Sequence, residues 1–179
     1  MNTKSIVLGG GCFWCIEAIY EQLDGVISLA SGYAGGTAET ANYRDVCSGT
    51  TDHVEVVEVT FDSEKISFSE ILDVFWTVHD PTTPNRQGND VGPQYRSAIF
   101  YTDEAEKSIA EESITTVASV LFDDPIVTEL IPLDIFYKAE TYHQDYYNKT
   151  GGRNPYCSAV ISPKVSKFRK QFAHKLKTK

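Results

Sequence analysis

The 179-residue chain predicts an α+β fold: a two-layer sandwich on a split βαβ, ferredoxin-like core. Two observations carry this. Segments of strand character alternate with amphipathic segments of helical period in the order β-α-β-β-α-β. Glycine clusters and one capping box fall at the joints between them. A composition that is 41% hydrophobic and 12% aromatic is enough to fill a core and far from that of a disordered chain. With no internal repeat and no linker, one catalytic domain is expected over residues 1–179, ending in a basic helix or tail at about 163–179.

Each element has its own reason. Ser5–Leu8 is a short apolar strand, closed by Gly9-Gly10-Gly11. From Phe13 the spacing of Ile16, Ile19, Tyr20 and Leu23 becomes helical, and Gly25 ends that helix. Val26–Tyr33 and His53–Phe61 read as the second and third strands. Ser67-Phe68-Ser69-Glu70 is a capping box opening a helix with Phe68, Ile71, Leu72 and Phe75 on one face. Residues 80–96, rich in proline, glycine and asparagine, form a long loop. Ser97–Tyr101 is a fourth strand. Asp103–Leu121 is a helix with Ile114, Val117 and Leu121 on one side, and Ile126–Leu133 a further strand. Val165, Phe168, Phe172 and Leu176 mark a C-terminal helix.

Charge and leader sequence narrow the function. The net charge is −9. Seven basic residues and no acidic ones stand in 164–179, so the other nine basic residues face all 25 acidic ones and the body carries −16. An acidic body argues against nucleic acid as the main partner. No run is long enough to cross a membrane, and Met1–Ser5 lead straight into a strand. The expectation is a cytoplasmic protein that binds no membrane, with Cys12, Cys15, Cys47 and Cys157 mostly reduced.

Three places offer chemistry. In Gly9-Gly10-Gly11-Cys12-Phe13-Trp14-Cys15 a strand ends, glycines turn the chain, and a helix starts at a cysteine. Unpaired N–H groups there favour an anion, so the Cys12 pKa is expected to fall. Cys15 lies one helical turn on, within plausible disulfide reach. Phe13 and Trp14 either fill core or wall an apolar pocket beside the thiol. Along the third strand Glu55 shares a face with Val57, Val59 and Phe61, which raises its pKa and suits it to general-acid work; a salt-bridged edge residue gives the same pattern. The loop His79–Tyr95 supplies Arg86, Asp90 and Tyr95. Tyr142, Tyr146 and Tyr147 are read as packing residues, and His143 as a satisfied surface or core histidine.

Taken together, the chain resembles the A-type peptide methionine sulfoxide reductases. The resemblance rests on Gly10–Trp14, Gly32–Gly36, Tyr43–Gly49, His53–Val57, His79–Thr83, Arg86–Gly92, Gln94–Ile99 and Asn154–Cys157, in the family's order. It implies Cys12 as the nucleophile on the sulfoxide sulfur, and Phe13 and Trp14 as holders of the substrate methyl group. Glu55 would protonate the sulfoxide oxygen, Tyr43 and Tyr95 would hydrogen-bond it, and Asp90 would help position the substrate. It further implies action on the S epimer of methionine sulfoxide, free or in proteins, with thioredoxin or another dithiol as reductant. No bound cofactor or metal is expected, and the chain is expected to be a monomer. Cys15 departs from the family pattern, which commonly has glycine there. Cys15 is expected to resolve the sulfenic acid by proximity to Cys12, with Cys157 as the alternative and Cys47 structural.

Two other classes fit part of the pattern. A thioredoxin-type disulfide oxidoreductase would use Cys12-x-x-Cys15 with Ile131-Pro132 as a cis-proline, leaving the aromatic pair and Glu55 without a task. A zinc or redox-sensing module would need a second ligand pair at matching spacing, which the isolated Cys47 and Cys157 do not supply.

Overall fold

The computed structural model describes residues 1–178; Lys179, the last of the basic run, lies outside the described residues. The chain is α+β. In order, the strands are β1 (Thr3–Gly9), β2 (Val26–Ala34), β3 (Val54–Asp62), β4 (Arg86–Gln87), β5 (Asp90–Val91), β6 (Ala98–Tyr101), β7 (Glu129–Pro132) and β8 (Tyr137–Lys138). The helices are α1 (Phe13–Tyr20), α2 (Tyr43–Cys47), α3 (Phe68–Val78), α4 (Glu104–Ser113), α5 (Ser119–Leu121), α6 (Tyr146–Thr150) and α7 (Ser162–Gln171). Six strands form one sheet in the order β7-β6-β1-β3-β2-β8, antiparallel except for the β6–β7 pair, and β4 and β5 form a small hairpin.

Strand alternation divides the apolar residues between two faces. Ile6, Leu8, Val57, Val59, Phe61 and Ile99 pack with Ile16 and Ile19 of α1, Ile71 and Phe75 of α3, and Val165 and Phe168 of α7. Val7, Ala34, Val54, Val56, Ala98 and Phe100 pack instead against Ile131, Leu133 and Phe136. The Ser67–Glu70 capping box forms as expected, with both reciprocal hydrogen bonds present.

Register positions the site. β1 runs antiparallel to β3, pairing Ser5 with Thr60 and Leu8 with Val57. The exit of β1 therefore meets the entry of β3, and the next core-side position there is Glu55. Gly10 and Gly11 then carry the chain into α1. Gly11 has φ +92°, and a Cβ there would stand 2.6 Å from Cγ of Gln87. Only glycine lets the turn close against that side chain, whose amide bridges the backbone N and O of Asp80.

Several boundaries differ from the sequence reading. The helix expected over Asp103–Leu121 loosens into a π-helical stretch at Ile114–Ala118, and Leu121 is exposed rather than part of an apolar stripe. The C-terminal helix ends at Gln171, and Leu176 instead forms a β-bridge with Leu23. The strand expected over Ile126–Leu133 narrows to β7. The 80–96 loop contains the β4–β5 hairpin, held in part by the Asp80–Gln87 bonds. Pro132 follows a trans peptide, so the cis-proline of the thioredoxin-type alternative is absent.

Candidate active site

Cys12, Trp14, Tyr43, Glu55, Asp90 and Tyr95 line one cavity of about 210 Å³, together with Tyr156. Six residues singled out from sequence thus converge from five places in the chain. Cys12 stands at the N-cap of α1 and is 8% exposed. Glu55 rises from β3, between β1 and β2, and is 2% exposed. Among the described residues it has no ion-pair partner, and its Oε2 has no hydrogen-bond partner. The salt-bridged edge reading therefore fails. Phe13 does not line the cavity. It lies fully buried behind it, in contact with Tyr33 and His143.

Electrostatics separate the titratable groups. Burial pushes the Glu55 carboxyl well above the usual carboxylate range, and the nearby Asp90 and Cys15 add to the rise. Burial likewise raises the hydroxyls of Tyr43 and Tyr95, so both stay protonated as donors. The expectation for Cys12 is corrected. A helix start favours its thiolate, but burial outweighs that and pushes its pKa well up, aided by a hydrogen bond to Cys15 and the charge of Glu55. That same thiol–thiol hydrogen bond lowers the pKa of Cys15 against its own burial.

The other two cysteines stand apart. Cys157 is fully buried on the π-helical turn Cys157–Ile161, 3.5 Å from the Thr150 hydroxyl. Cys47 is half-buried on α2, four residues after Tyr43. All four thiols are free. Among the described residues no group of three or more His, Cys, Asp or Glu is arranged to hold a metal ion.

Sequence reasoning missed a second ring. Tyr156 lines the cavity and donates to Asp90 Oδ2 at 2.6 Å. Tyr146 stacks on Trp14 with centroids 3.8 Å apart and planes at 8°. The Trp14 indole N–H donates to Nδ1 of His143 at 3.1 Å. Tyr146 and Tyr147 pack as expected, whereas Tyr142 is 58% exposed. His143 is buried, but its Nε2 lacks a hydrogen bond, so it is not the satisfied histidine expected. His143, Tyr146 and Tyr156 lie 129 or more positions beyond Trp14, where no local pattern marks them. The only cue was the Asn154–Cys157 motif, which contains Tyr156.

A cysteine pair at a helix start, facing a buried carboxyl and two tyrosine donors, defines a thiol-dependent oxidoreductase. The family model of peptide methionine sulfoxide reductase matches residues 4–176. The protein of Saccharolobus solfataricus named peptide methionine sulfoxide reductase MsrA is 56% identical over 170 residues, 95% of each chain. Mxr1 from Saccharomyces cerevisiae in reduced form has a TM-score of 0.76 at 36% identity, covering 84% of this chain and 87% of that one. Mxr1 in complex with Trx2 aligns with a TM-score of 0.54 at 27% identity, covering 81% and 85%. The chain belongs to the peptide methionine sulfoxide reductase family.

Proposed function

We propose that this chain reduces the S epimer of methionine sulfoxide, free or in proteins, through a Cys12 sulfenic acid. The observation that carries this is one small cavity holding the Cys12 thiol, the high-pKa carboxyl of Glu55 and the Tyr43 and Tyr95 hydroxyls. A neutral sulfoxide is a poor electrophile, so its oxygen needs a proton or strong hydrogen bonds as sulfur is attacked. Glu55 supplies the proton, and Tyr43 and Tyr95 donate to the same oxygen. Trp14 walls the methyl group with Phe13 behind it, and Asp90, fixed by Tyr156, positions the rest of the substrate.

The steps balance. Cys12 loses its proton and attacks the sulfoxide sulfur as a thiolate while Glu55 protonates the oxygen, and the proton released from the thiol restores the Glu55 carboxyl. Oxygen passes to Cys12 as a sulfenic acid, and methionine leaves with two more electrons. The Cys15 thiol then condenses with the sulfenic acid, expelling water and forming a Cys12–Cys15 disulfide. Cys15 is favoured because it lies one helical turn from Cys12, whose carbonyl accepts its backbone N–H at 3.1 Å, whereas Cys157 stands on the separate π-helical turn Cys157–Ile161. Thioredoxin or another dithiol reduces the disulfide by exchange; the Mxr1 complex with Trx2 supports this partner.

The strand order β6-β1-β3-β2, with α1 and α3 packed on one face, supports a split βαβ, ferredoxin-like sandwich. One shared core across α1, α3 and α7 supports a single catalytic domain ending in the basic α7 tail. A monomeric, cytoplasmic enzyme without bound cofactor, working apart from nucleic acid and membrane, completes the reading. Among the described residues no helix is long and apolar enough to span a bilayer.

The test offers each epimer of methionine sulfoxide with dithiothreitol. Turnover of S with little turnover of R is expected. Equal turnover of both would remove the pocket assignment, because one rigid cavity fixes one configuration.

A further inference from the structure

Trp14 and Tyr43 stand on different elements yet wall the same cavity, and one relay through buried His143 and half-buried Glu140 joins them behind it. The Trp14 indole donates to Nδ1 of His143, so that nitrogen is bare and the ring proton sits on Nε2. Nε2 has no hydrogen bond within normal limits, but it lies 3.5 Å from Oε2 of Glu140. That oxygen also accepts from the Tyr33 hydroxyl at 2.9 Å. The other Glu140 oxygen accepts from the backbone N–H of Tyr43 at 2.8 Å, at the first residue of α2. The His143 ring lies 4.3 Å from that of Tyr43 and 5.1 Å from that of Phe13.

We infer that Glu140 and His143 are positioning residues: one carboxylate sets the start of α2, which carries Tyr43, and through the His143 tautomer it sets the plane of the Trp14 indole. The oxygen-binding and methyl-binding walls are thereby held in a fixed relation. A buried imidazole between an indole N–H and a carboxylate has one consistent protonation state, neutral with hydrogen on Nε2. Any replacement that cannot accept from Trp14 leaves a buried N–H unmade and frees the indole to turn. This inference rests on the reading that Trp14 contacts substrate.

The experiment separates the two ideas. Steady-state kcat and KM for methionine S-sulfoxide with dithiothreitol are measured for His143→Leu, His143→Asn, Glu140→Gln, Trp14→Phe and the Trp14→Phe/His143→Leu double variant. Indole N–H resonances are followed in 15N-labelled protein, where Trp76, bonded to Ser113, is the internal control. His143→Leu is expected to move the Trp14 resonance and raise KM about three- to tenfold, the range of one lost hydrogen bond, with little change in kcat. His143→Asn keeps an acceptor near the Nδ1 position and should stay near wild type in both readouts. Glu140→Gln should raise KM and lower kcat together, because it disturbs Tyr43 as well. In the Trp14→Phe background, His143→Leu should add less than about twofold.

Equal effects of His143→Leu with and without the indole would overturn the inference, as would wild-type KM with an unmoved Trp14 resonance. Wild-type kinetics for Glu140→Gln would remove Glu140 from the relay and overturn its half. If His143→Leu does not fold, the Asn variant decides: wild-type KM supports the relay, and raised KM with an intact Trp14 resonance overturns it. Wild-type KM for Trp14→Phe alone would instead overturn the pocket reading, while the resonances still decide the bond.

Discussion

Replacing Glu55 by Gln keeps the shape of the side chain and removes its transferable proton, so it separates the chemical from the structural role of the carboxyl. Positioned general acids contribute about 10²- to 10⁴-fold, so the rate of methionine release in a single turnover should fall by that factor, about 2.7–5.4 kcal/mol in barrier. Substrate affinity should change much less, since the proton acts on charge that develops only in the transition state. The same burial has a stability consequence of defined sign. The folded pKa of Glu55 is raised above its unfolded value, so the native state holds the proton longer. Stability from this group is intact below the unfolded pKa and falls as pH rises toward the folded one, by about 1.4 kcal/mol for each pH unit between them. Glu55→Gln should therefore be inactive yet at least as stable as wild type at neutral pH, with the gap widening from pH 5 to 7. Rapid-quench methionine release and urea unfolding across that range measure the two effects. A Gln variant within about threefold of the wild-type rate would refute acid catalysis by Glu55. A Gln variant less stable at pH 7 than at pH 5, relative to wild type, would refute the assigned cause of the shift.

Other outcomes follow from the same geometry. Cys12→Ser should abolish methionine release, because a serine hydroxyl stays protonated in this buried place and cannot form the sulfenic acid; any sustained activity would move the nucleophile elsewhere. Cys15→Ser should still release one methionine but hold a long-lived sulfenic acid and lose thioredoxin-driven turnover, whereas Cys157→Ser should cycle normally; the reverse result would assign resolution to Cys157. Cys15→Ser should also lower the Cys12 pKa, read by thiol alkylation against pH, because it removes the neighbouring thiol whose hydrogen bond and charge help to raise it. Gly11→Ala should destabilise the fold by about 1–3 kcal/mol in urea unfolding, since a Cβ at φ +92° is strained and meets Gln87; an unchanged midpoint would show that the turn relaxes freely.

Local pattern made Cys12 and Glu55 of the candidate site legible and left its surroundings hidden. Cys12 was readable because three glycines and a helical period flank it, and Glu55 because strand alternation puts it among Val57, Val59 and Phe61. Both signals are short in range and survive without tertiary information. The direction of the Cys12 pKa was not readable, because it depends on how deeply the thiol lies and on its contact with Cys15, not on the helix start alone. Tyr156, Tyr146, Glu140 and His143 reach the site from the far end of the chain on short helical turns and the loop before them, too brief for any period to mark which side chain turns inward. The α4 boundary failed for a related reason. A continuous apolar spacing through Leu121 does not reveal that a π-helical stretch rotates the last turn away from the core.

The most direct test adds one equivalent of methionine S-sulfoxide, without reductant, to the Cys15→Ser/Cys157→Ser enzyme and maps the product by mass spectrometry. One methionine per chain and one added oxygen on Cys12 are expected. An oxygen on Cys47, or methionine release with Cys12 unmodified, would contradict the mechanism.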